Sequence, residues 1–331
     1  SSVSYLRFVV GMESWKRQHQ DVPLSIELYH LLGANAITLV LLAVTATCPG
    51  LMDLSPKTQG LLLVLSGAFF GMPHGALDGV LLWGEGQPGK LARDFALYVA
   101  LAAGMTALWI VLPPVALVLF LGTAVFHWGE GDREAFPTAA PWWLDVVGRG
   151  GIFFVCFWHR WGEVEAVLQL LVGPQTDLTG AVMAIQLMEA AYVVAYMCCL
   201  GFHMLRWKDP RSMLVAVELV VLYSAFCRLP ALVALPLYYN VYHSTRHYIR
   251  VPGLTSASRG AVVAAAVFFT ALSLGLIAIF YVVEQWAGMP GDLSIVVKVG
   301  IIGVSAMTCP HLVVVHLAGK AEGKEVSSLM E

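Results

Sequence analysis

Two histidines, His243 and His247, lie four residues apart at the end of an apolar run, in the sequence LYYNVYHSTRHY of residues 237–248. Positions i and i+4 of an α-helix share one face, with Cβ atoms about 5–6 Å apart. Two imidazoles placed in this way can hold one metal ion between them. Because the pair lies near a helix end, two interfacial histidines would give the same pattern, and the spacing alone leaves both interpretations open.

Two further histidines lie in apolar segments beside polar or aromatic residues. His74 stands in GMPHGALD at residues 71–78, one helical turn before Asp78, and His127 stands in FHWG at residues 126–129. Each has a structural explanation, since Asp78 can simply satisfy His74, and His127 can be an interfacial histidine beside a tryptophan. If all four histidines met, they would form an all-nitrogen site for a first-row metal, with open positions for oxygen or substrate.

Charged groups inside apolar runs are costly in a membrane, so each of them needs a partner or a function. Asp78 can orient His74 or offset the charge of a metal ion. Glu163 lies near Arg160 and Glu165, and these three charges either pair with one another or reach the histidines. We expect the carboxylates that support the metal ligands to be among Asp78, Glu130, Glu163 and Glu189.

Aromatic side chains flank the four histidines and could line a tunnel, although core packing is the more common role of any single one. These residues are Phe69, Phe70, Phe126, Trp128, Tyr238, Tyr239 and Tyr242. The other histidines lack such surroundings, and His311 and His316, five residues apart, do not share a helix face. We expect the following histidines to lie outside the site: His19, His30, His159, His203, His311 and His316.

The composition determines what surrounds these residues. The chain of 331 residues is 58% hydrophobic and 12% charged, against about 45–50% apolar and 25% charged in ordinary soluble domains. This predicts an integral membrane protein. A net charge of −3 without a basic tract argues against a nucleic-acid partner. The six cysteines have no CxxC spacing and predict small buried hydrophobes rather than disulfides or zinc ligands.

About ten apolar runs approach 20 residues, the length that crosses roughly 30 Å of hydrocarbon. Pro113-Pro114 separates the third run from the fourth, and Pro230 separates the seventh from the eighth. The runs cover residues 28–48, 60–83, 94–112, 114–129, 146–172, 181–205, 212–228, 230–249, 260–286 and 294–318.

Lysine and arginine are concentrated in alternate loops, which predicts that both termini are cytoplasmic. The basic residues assigned in this way to the cytoplasmic side include Arg133, Arg149, Arg246 and Arg250. The expected fold is therefore all-α, a polytopic transmembrane bundle of about ten helices in a single domain. We expect a cytoplasmic segment at residues 1–27, the bundle at 28–318 and a cytoplasmic tail at 319–331.

Three motifs, MPHGALD at residues 72–78, FHWG at 126–129 and YNVYHSTRH at 239–247, together resemble the bacteriorhodopsin-related (Brp/Blh) β-carotene dioxygenases of bacteria and archaea. The resemblance implies a multi-pass enzyme of the cell membrane that cleaves β-carotene symmetrically with O₂. The product would be two retinal molecules, which could be handed to a microbial rhodopsin. The family's four iron ligands would fall on His74, His127, His243 and His247.

Fe(II) bound by four neutral imidazoles would keep its charge of +2, so nearby carboxylates such as Asp78 would lower the cost of burying it. Two functions from other classes stay open on the residues alone. A haem-binding electron carrier also places histidines on membrane helices. A carotenoid or retinal carrier would bind pigment without catalysis.

Overall fold

The computed structural model describes Gly50 and residues 24–48, 54–83, 88–173, 177–250, 258–286 and 293–328. Most of the predicted cytoplasmic segment 1–27, including His19, lies outside these residues. All regular structure in the described ranges is helical, which confirms the all-α prediction. The α-helices are α1 Leu24–Thr47, α2 Pro56–Ser66, α3 Met72–Trp83, α4 Pro88–Val111, α5 Pro113–Ala135, α6 Trp142–Gly150, α7 Phe154–His159, α8 Trp161–Val172, α9 Thr179–Leu205, α10 Pro210–Arg228, α11 Ala231–Pro236, α12 Thr245–Arg250, α13 Arg259–Trp286 and α14 Leu293–Ser328.

Several helices are long and apolar enough to cross a bilayer, as an integral membrane protein requires. Among the described residues, six helices qualify by length and composition: Ile26–Thr47, Ala92–Val111, Pro113–Ala135, Thr179–Leu205, Pro210–Arg228 and Val297–Val315. The predicted membrane bundle is thereby confirmed as a class of fold. The number of spans and the side on which each terminus lies stay predictions.

Two helix boundaries lie next to the prolines that predict them. Helix α4 ends at Val111 and α5 begins at Pro113, as the proline pair predicts. Helix α10 ends at Arg228, two residues before Pro230. Proline restricts the residue before it to extended conformations, so both boundaries follow from local backbone sterics.

The prediction of one continuous span at residues 146–172 is wrong, because α6, α7 and α8 are separate helices there. A Cβ atom at Gly151, in the turn after α6, would lie 2.4 Å from the Tyr192 ring, so this turn needs a glycine. At Arg160 the chain leaves the helix, and its guanidinium binds Glu163 at 2.8 Å and the Arg228 carbonyl at 2.6 Å.

Helices α5 and α6 approach each other so closely that their backbones touch. A Cβ atom at Gly129 would lie 1.9 Å from the Val146 carbonyl oxygen, and one at Gly150 would lie 2.0 Å from the Val125 carbonyl oxygen. Only glycine allows this distance at both positions. The contact fixes α5 two residues from His127, one of the histidines of interest.

Two helices that carry histidines are interrupted by π-helices. The first π-helix, Gly67–Gly71, runs into α3, and the second, Leu237–Ser244, joins α11 to α12. Proline lacks an N–H group and clashes with the carbonyl four residues earlier, so it disturbs α-helical bonding. Pro73 follows the first π-helix closely and Pro236 directly precedes the second. Such segments are rare and often lie at functional sites.

One hydrogen bond joins the two π-helical regions, and another lies within the second of them. The Tyr248 hydroxyl donates to the Phe70 carbonyl at 3.0 Å, and Thr245 donates to the Asn240 carbonyl five residues earlier at 2.8 Å. Gly71 brings the first π-helix within contact of a ring of the second. A Cβ atom there would lie 3.2 Å from Tyr239. The two widened turns therefore pack directly on each other.

Candidate metal centre

The four histidines selected from the sequence lie together in the interior. His74 comes from α3, His127 from α5, His243 from the second π-helix and His247 from α12. The ring centroid of His74 lies 4.1 Å from that of His247, 5.1 Å from that of His243 and 5.8 Å from that of His127. All four are buried, between 2% and 7% exposed. Segments far apart in sequence thus bring four imidazoles to one place.

A fifth histidine, His311 of α14, belongs to the same group. Its Nε2 lies 3.0 Å from Nε2 of His74, and its ring centroid lies 4.7 Å from those of His74 and His127. One ring nitrogen from each of these three residues lies within 4.8 Å of those from the other two. The expectation that His311 lies outside the site is wrong. The spacing of His311 from His316 does not decide its role, because its partners His74 and His127 come from other helices.

Two pairs of ring nitrogens in the cluster are spaced as ligands of one metal ion would be. Two imidazoles bound at about 2.0–2.1 Å have nitrogens roughly 2.9–3.4 Å apart for angles between about 90° and 109°. The observed Nε2 separations are 3.0 Å for His74 and His311, and 3.2 Å for His243 and His127. Buried Nε2 of His247 has no hydrogen-bond partner. These donors fit a first-row metal, for which imidazole is a suitable ligand.

Asp78 lies behind His311 rather than behind His74. Its Oδ1 accepts a hydrogen bond from Nδ1 of His311, and its Oδ2 accepts one from the Tyr98 hydroxyl at 2.9 Å. The carboxylate is 2% exposed. With Nδ1 engaged in this way, the opposite nitrogen of the His311 ring points into the cluster. This is the arrangement by which carboxylates commonly orient metal-binding histidines.

Asp132 has a comparable position near His243, and the sequence reading did not select it. Its Oδ1 lies 3.8 Å from Nδ1 of His243 and 2.9 Å from a guanidinium nitrogen of Arg246. The Tyr238 hydroxyl donates to its Oδ2 at 2.7 Å. A buried carboxylate beside a site of neutral ligands offsets part of the charge of a bound cation.

A chain of buried ion pairs leads away from this carboxylate. Arg246 binds Glu218 at 2.7 Å, and Glu218 lies 4.0 Å from Arg149. Arg149 lies 3.9 Å from Asp145, which accepts from His203 at 3.2 Å. Each of these side chains is buried. Buried charges are tolerated only when paired and hydrogen-bonded, and this network of pairs connects the site with α6, α9 and α10.

Three of the arginines that the charge pattern assigns to cytoplasmic loops are buried in the interior. Arg149 and Arg246 belong to the buried network, and Arg250 binds Glu134 at 2.7 Å. Their assignment to loops is wrong, because they lie in helices α6 and α12 and are buried. Sequence position near a helix end cannot distinguish an arginine in solvent from one that is turned inward to meet a carboxylate.

The other carboxylates of the predicted set lie at different distances from the cluster. Glu130 lines a small cavity together with His127, His243 and His247, and accepts from the Trp142 indole at 2.7 Å. Glu163 instead binds Arg160 and the backbone N–H of Ala231. Glu189 is buried, and its Oε1 has no hydrogen-bond partner. The contacts described for Glu163 and Glu189 include none of the five histidines.

An apolar cleft of about 570 Å³ ends at the histidine cluster. His74, His127 and His311 form part of its wall, and Trp128 and Tyr239 contribute aromatic faces. Several small residues also line it: Gly71, Gly75, Gly79, Ala102, Ala103, Gly303 and Ala306. A smooth wall of this kind suits a long, flat, apolar molecule.

The cleft opens on the apolar outer surface of the bundle. Phe95 and Val99 of α4 line it and are 60% and 49% exposed. In a membrane this surface faces lipid. The cleft therefore connects the apolar outer surface with the histidines.

The remaining aromatic residues of the predicted tunnel lie elsewhere. Phe69 and Phe70 are 58% and 45% exposed on the outer surface. Phe126 lines the small cavity on the other side of the cluster. Tyr238 and Tyr242 are fully buried, and their hydroxyls bind Asp132 and Thr38 respectively. These two tyrosines support the helices around the cluster rather than lining the cleft.

Comparison with known proteins agrees with this geometry. A family model described as "Beta-carotene 15,15'-dioxygenase" matches residues 65–318, a range that contains all five histidines of the cluster. The chain belongs to this family. The resemblance seen in the three sequence motifs is thereby confirmed, and membership places the chain among the dioxygenase enzymes.

Two relatives of the β-carotene 15,15'-dioxygenase family cover most of the chain. One, from Halobacterium salinarum, is named a probable β-carotene 15,15'-dioxygenase Blh and is 27% identical over 340 residues, or 91% of this chain and 97% of the relative. Another, from uncultured marine bacterium 66A03, is named a β-carotene 15,15'-dioxygenase and is 26% identical over 258 residues, or 75% of this chain and 89% of the relative. No solved structure matches.

Proposed function

We propose that this protein is a membrane enzyme that cleaves β-carotene at its central double bond with O₂ and releases two retinal molecules. The observation that carries the proposal is a buried histidine cluster at the end of an apolar cleft that opens on the lipid-facing surface. The names of its relatives in the family supply the identity of substrate and reaction. One carbon–carbon double bond breaks, and each new carbonyl takes one atom of O₂, so the reaction needs no other oxidant or reductant.

We propose that ferrous iron is the metal and that His74, His127, His243 and His247 hold it. When bound, iron supplies the redox chemistry by which O₂ reacts with a polyene. The imidazoles bind as neutral ligands, and the carboxylates of Asp78 and Asp132 offset the buried positive charge.

The protein's remaining contribution is to align the substrate and exclude water. Trp128 and Tyr239 present flat rings beside the histidines, and Gly75 and Gly303 leave room along the cleft. Holding one double bond next to the metal replaces a random encounter by a fixed geometry, which is a large part of catalysis. We propose that the reach of the cleft on either side of the cluster determines which bond is attacked.

The spacing of the histidines argues against the haem alternative. Two axial imidazoles on opposite sides of a haem iron would have nitrogens about 4 Å apart with a macrocycle between them. The nitrogens of His74 and His311 are 3.0 Å apart, with three further imidazoles around them. A carotenoid carrier without catalysis would use the same cleft, and the product analysis below distinguishes it.

The lipid bilayer is the expected source of β-carotene, and we propose that the enzyme resides in a bacterial or archaeal cell membrane. The retinal would then be released into the same bilayer, where a microbial rhodopsin could take it up. We also propose that the chain forms a single domain with the membrane bundle at residues 28–318, because the five histidines come from helices as far apart in the sequence as α3 and α14.

The activity can be tested in cells that make β-carotene. Expression of the protein should bleach the orange colour and accumulate retinal, with two retinals per carotene and a requirement for O₂. A matched culture expressing His74→Ala should stay orange. Unchanged carotene bound to purified protein would favour the carrier, and unequal apocarotenals would move the site of attack away from the central bond.

A further inference from the structure

His311 has the surroundings of a metal ligand. It is 3% exposed, and its Nε2 lies 3.0 Å from Nε2 of His74. Its ring lies 4.7 Å from that of His127 and 5.2 Å from that of His247. Three of the four proposed ligands are therefore its direct neighbours. A bystander imidazole would not normally be forced so close to other nitrogen donors in an apolar interior.

The orientation of the ring is also fixed. Nδ1 of His311 is occupied by Asp78, and Asp78 is in turn anchored by the Tyr98 hydroxyl at 2.9 Å. Tyr98 comes from α4, Asp78 from α3 and His311 from α14. Contacts among three helices therefore fix the direction of His311 Nε2. No comparable carboxylate contact is described for His74, whose buried Nδ1 lacks a hydrogen-bond partner.

We propose that His311 is a further ligand of the metal and that Asp78 positions His311. The inference rests on the proposed function, since it concerns the same metal. It makes α14 part of the metal centre, although the sequence shows no recognised motif there. It also changes the role of Asp78, which acts through the imidazole from α14 rather than through the one on its own helix.

The test is the affinity for iron, measured without turnover. Protein in detergent is stripped with a chelator, and ferrous iron is titrated back anaerobically in competition with a coloured chelator. His311→Ala should raise the dissociation constant by more than the roughly 10–100-fold that loss of a hydrogen-bonded partner of a ligand causes. His159→Ala is the control, since His159 binds Tyr223 at 3.2 Å outside the cluster.

A second substitution keeps the test decisive if the alanine variant does not fold. His311→Gln keeps an N–H donor for Asp78 but replaces the imidazole, and it should lose affinity as His311→Ala does. Wild-type affinity in the glutamine variant would overturn the proposal, even if the alanine variant failed to fold.

The role of Asp78 is tested by a double-mutant cycle. Asp78→Asn alone should weaken iron binding by roughly 10–100-fold. In the His311→Gln background the same change should have little further effect, because the ring that it orients is already gone. Additive losses would show that Asp78 acts independently of His311.

The outcome also separates this inference from the proposed function. If the wild-type protein binds no iron, the proposed metal enzyme fails as a whole. If the wild type binds one iron tightly and both His311 variants bind equally well, only the fifth ligand is ruled out.

Discussion

At the scale of single residues, the site combines imidazoles with carboxylates held just behind them. Asp78 engages His311, and Asp132 lies 3.8 Å from His243. Neutral donors leave the full charge of a bound cation in an apolar interior, where charge is costly unless it is balanced. The two carboxylates supply that balance without occupying the ring nitrogens that face one another.

Replacing any one of the four proposed ligands His74, His127, His243 and His247 by alanine should abolish retinal formation. The reason is loss of a metal donor, so iron content should fall together with activity. His159→Ala, outside the cluster, should keep wild-type activity. Retinal production in membranes and iron per purified chain are the two measurements, and full activity in any of the four variants would remove that residue from the ligand set.

At the scale of secondary-structure elements, the histidines depend on helices that depart from regular geometry. Proline residues adjoin both π-helices, and glycines allow α5 and α6 to touch. An undistorted helix in either segment would rotate its histidines away from their present direction. The second π-helix carries His243, and the two π-helices adjoin the helices of His74 and His247, whereas His127 and His311 lie on α5 and α14.

Gly129→Ala should strongly destabilise the protein, because the new Cβ atom would lie 1.9 Å from the Val146 carbonyl oxygen. Overpacking of a tight contact typically costs about 1–3 kcal/mol, and a clash with backbone lies at or above that range. Gly122→Ala on the same helix is the matched control, since its Cβ would make an ordinary 3.8 Å contact with Met188. Thermal unfolding in detergent should show a lower midpoint for Gly129→Ala alone, and equal midpoints would contradict the close contact.

Sequence patterns predicted some of these elements well and others poorly. Proline sterics are local, so the boundaries at Pro113 and Pro230 could be read directly. The break at Gly151 depends on the approach of Tyr192 from another helix, and the burial of Arg149 depends on Glu218. Such contacts between distant segments leave no periodic signal in either segment.

The same reasoning explains which histidines of the site can be predicted from the sequence. His74, His127, His243 and His247 lie in motifs with polar or aromatic neighbours, whereas His311 stands alone in an apolar helix. One signal was available, because both His74 and His311 directly follow a proline, in MPHG and CPHL. The aromatic residues could not be sorted from sequence, since only packing separates Tyr239 in the cleft from Tyr238 in the core.

At the scale of the whole molecule, an apolar cleft connects the histidine cluster with the outer surface of the bundle. The cleft runs between α3, α4 and α14, with the cluster at its inner end. In the proposed function, a lipid-soluble substrate enters through this cleft, and the apolar walls keep water from the reacting bond. The position of the cluster along the cleft would then set the lengths of the two products.

Gly75→Leu should narrow the cleft without disturbing the packing, because a Cβ atom at Gly75 meets nothing within 4 Å. The added side chain would displace one end of the carotene. Retinal formation should therefore fall, with unequal apocarotenals appearing in its place. Gly104→Leu, on the exposed side of α4 and equally free of contacts, is the control. Unchanged rate and products in Gly75→Leu, measured by chromatography, would show that the substrate lies elsewhere.

The central claim is that metal held by the histidine cluster cleaves carotene at its centre, and turnover by the purified protein tests it most directly. Protein in detergent, supplied with β-carotene and O₂, should form two retinals per carotene. Activity should disappear after chelation and return when ferrous iron is restored to about one per chain, without haem absorbance. Unaltered β-carotene in the presence of a fully occupied iron site would contradict the account.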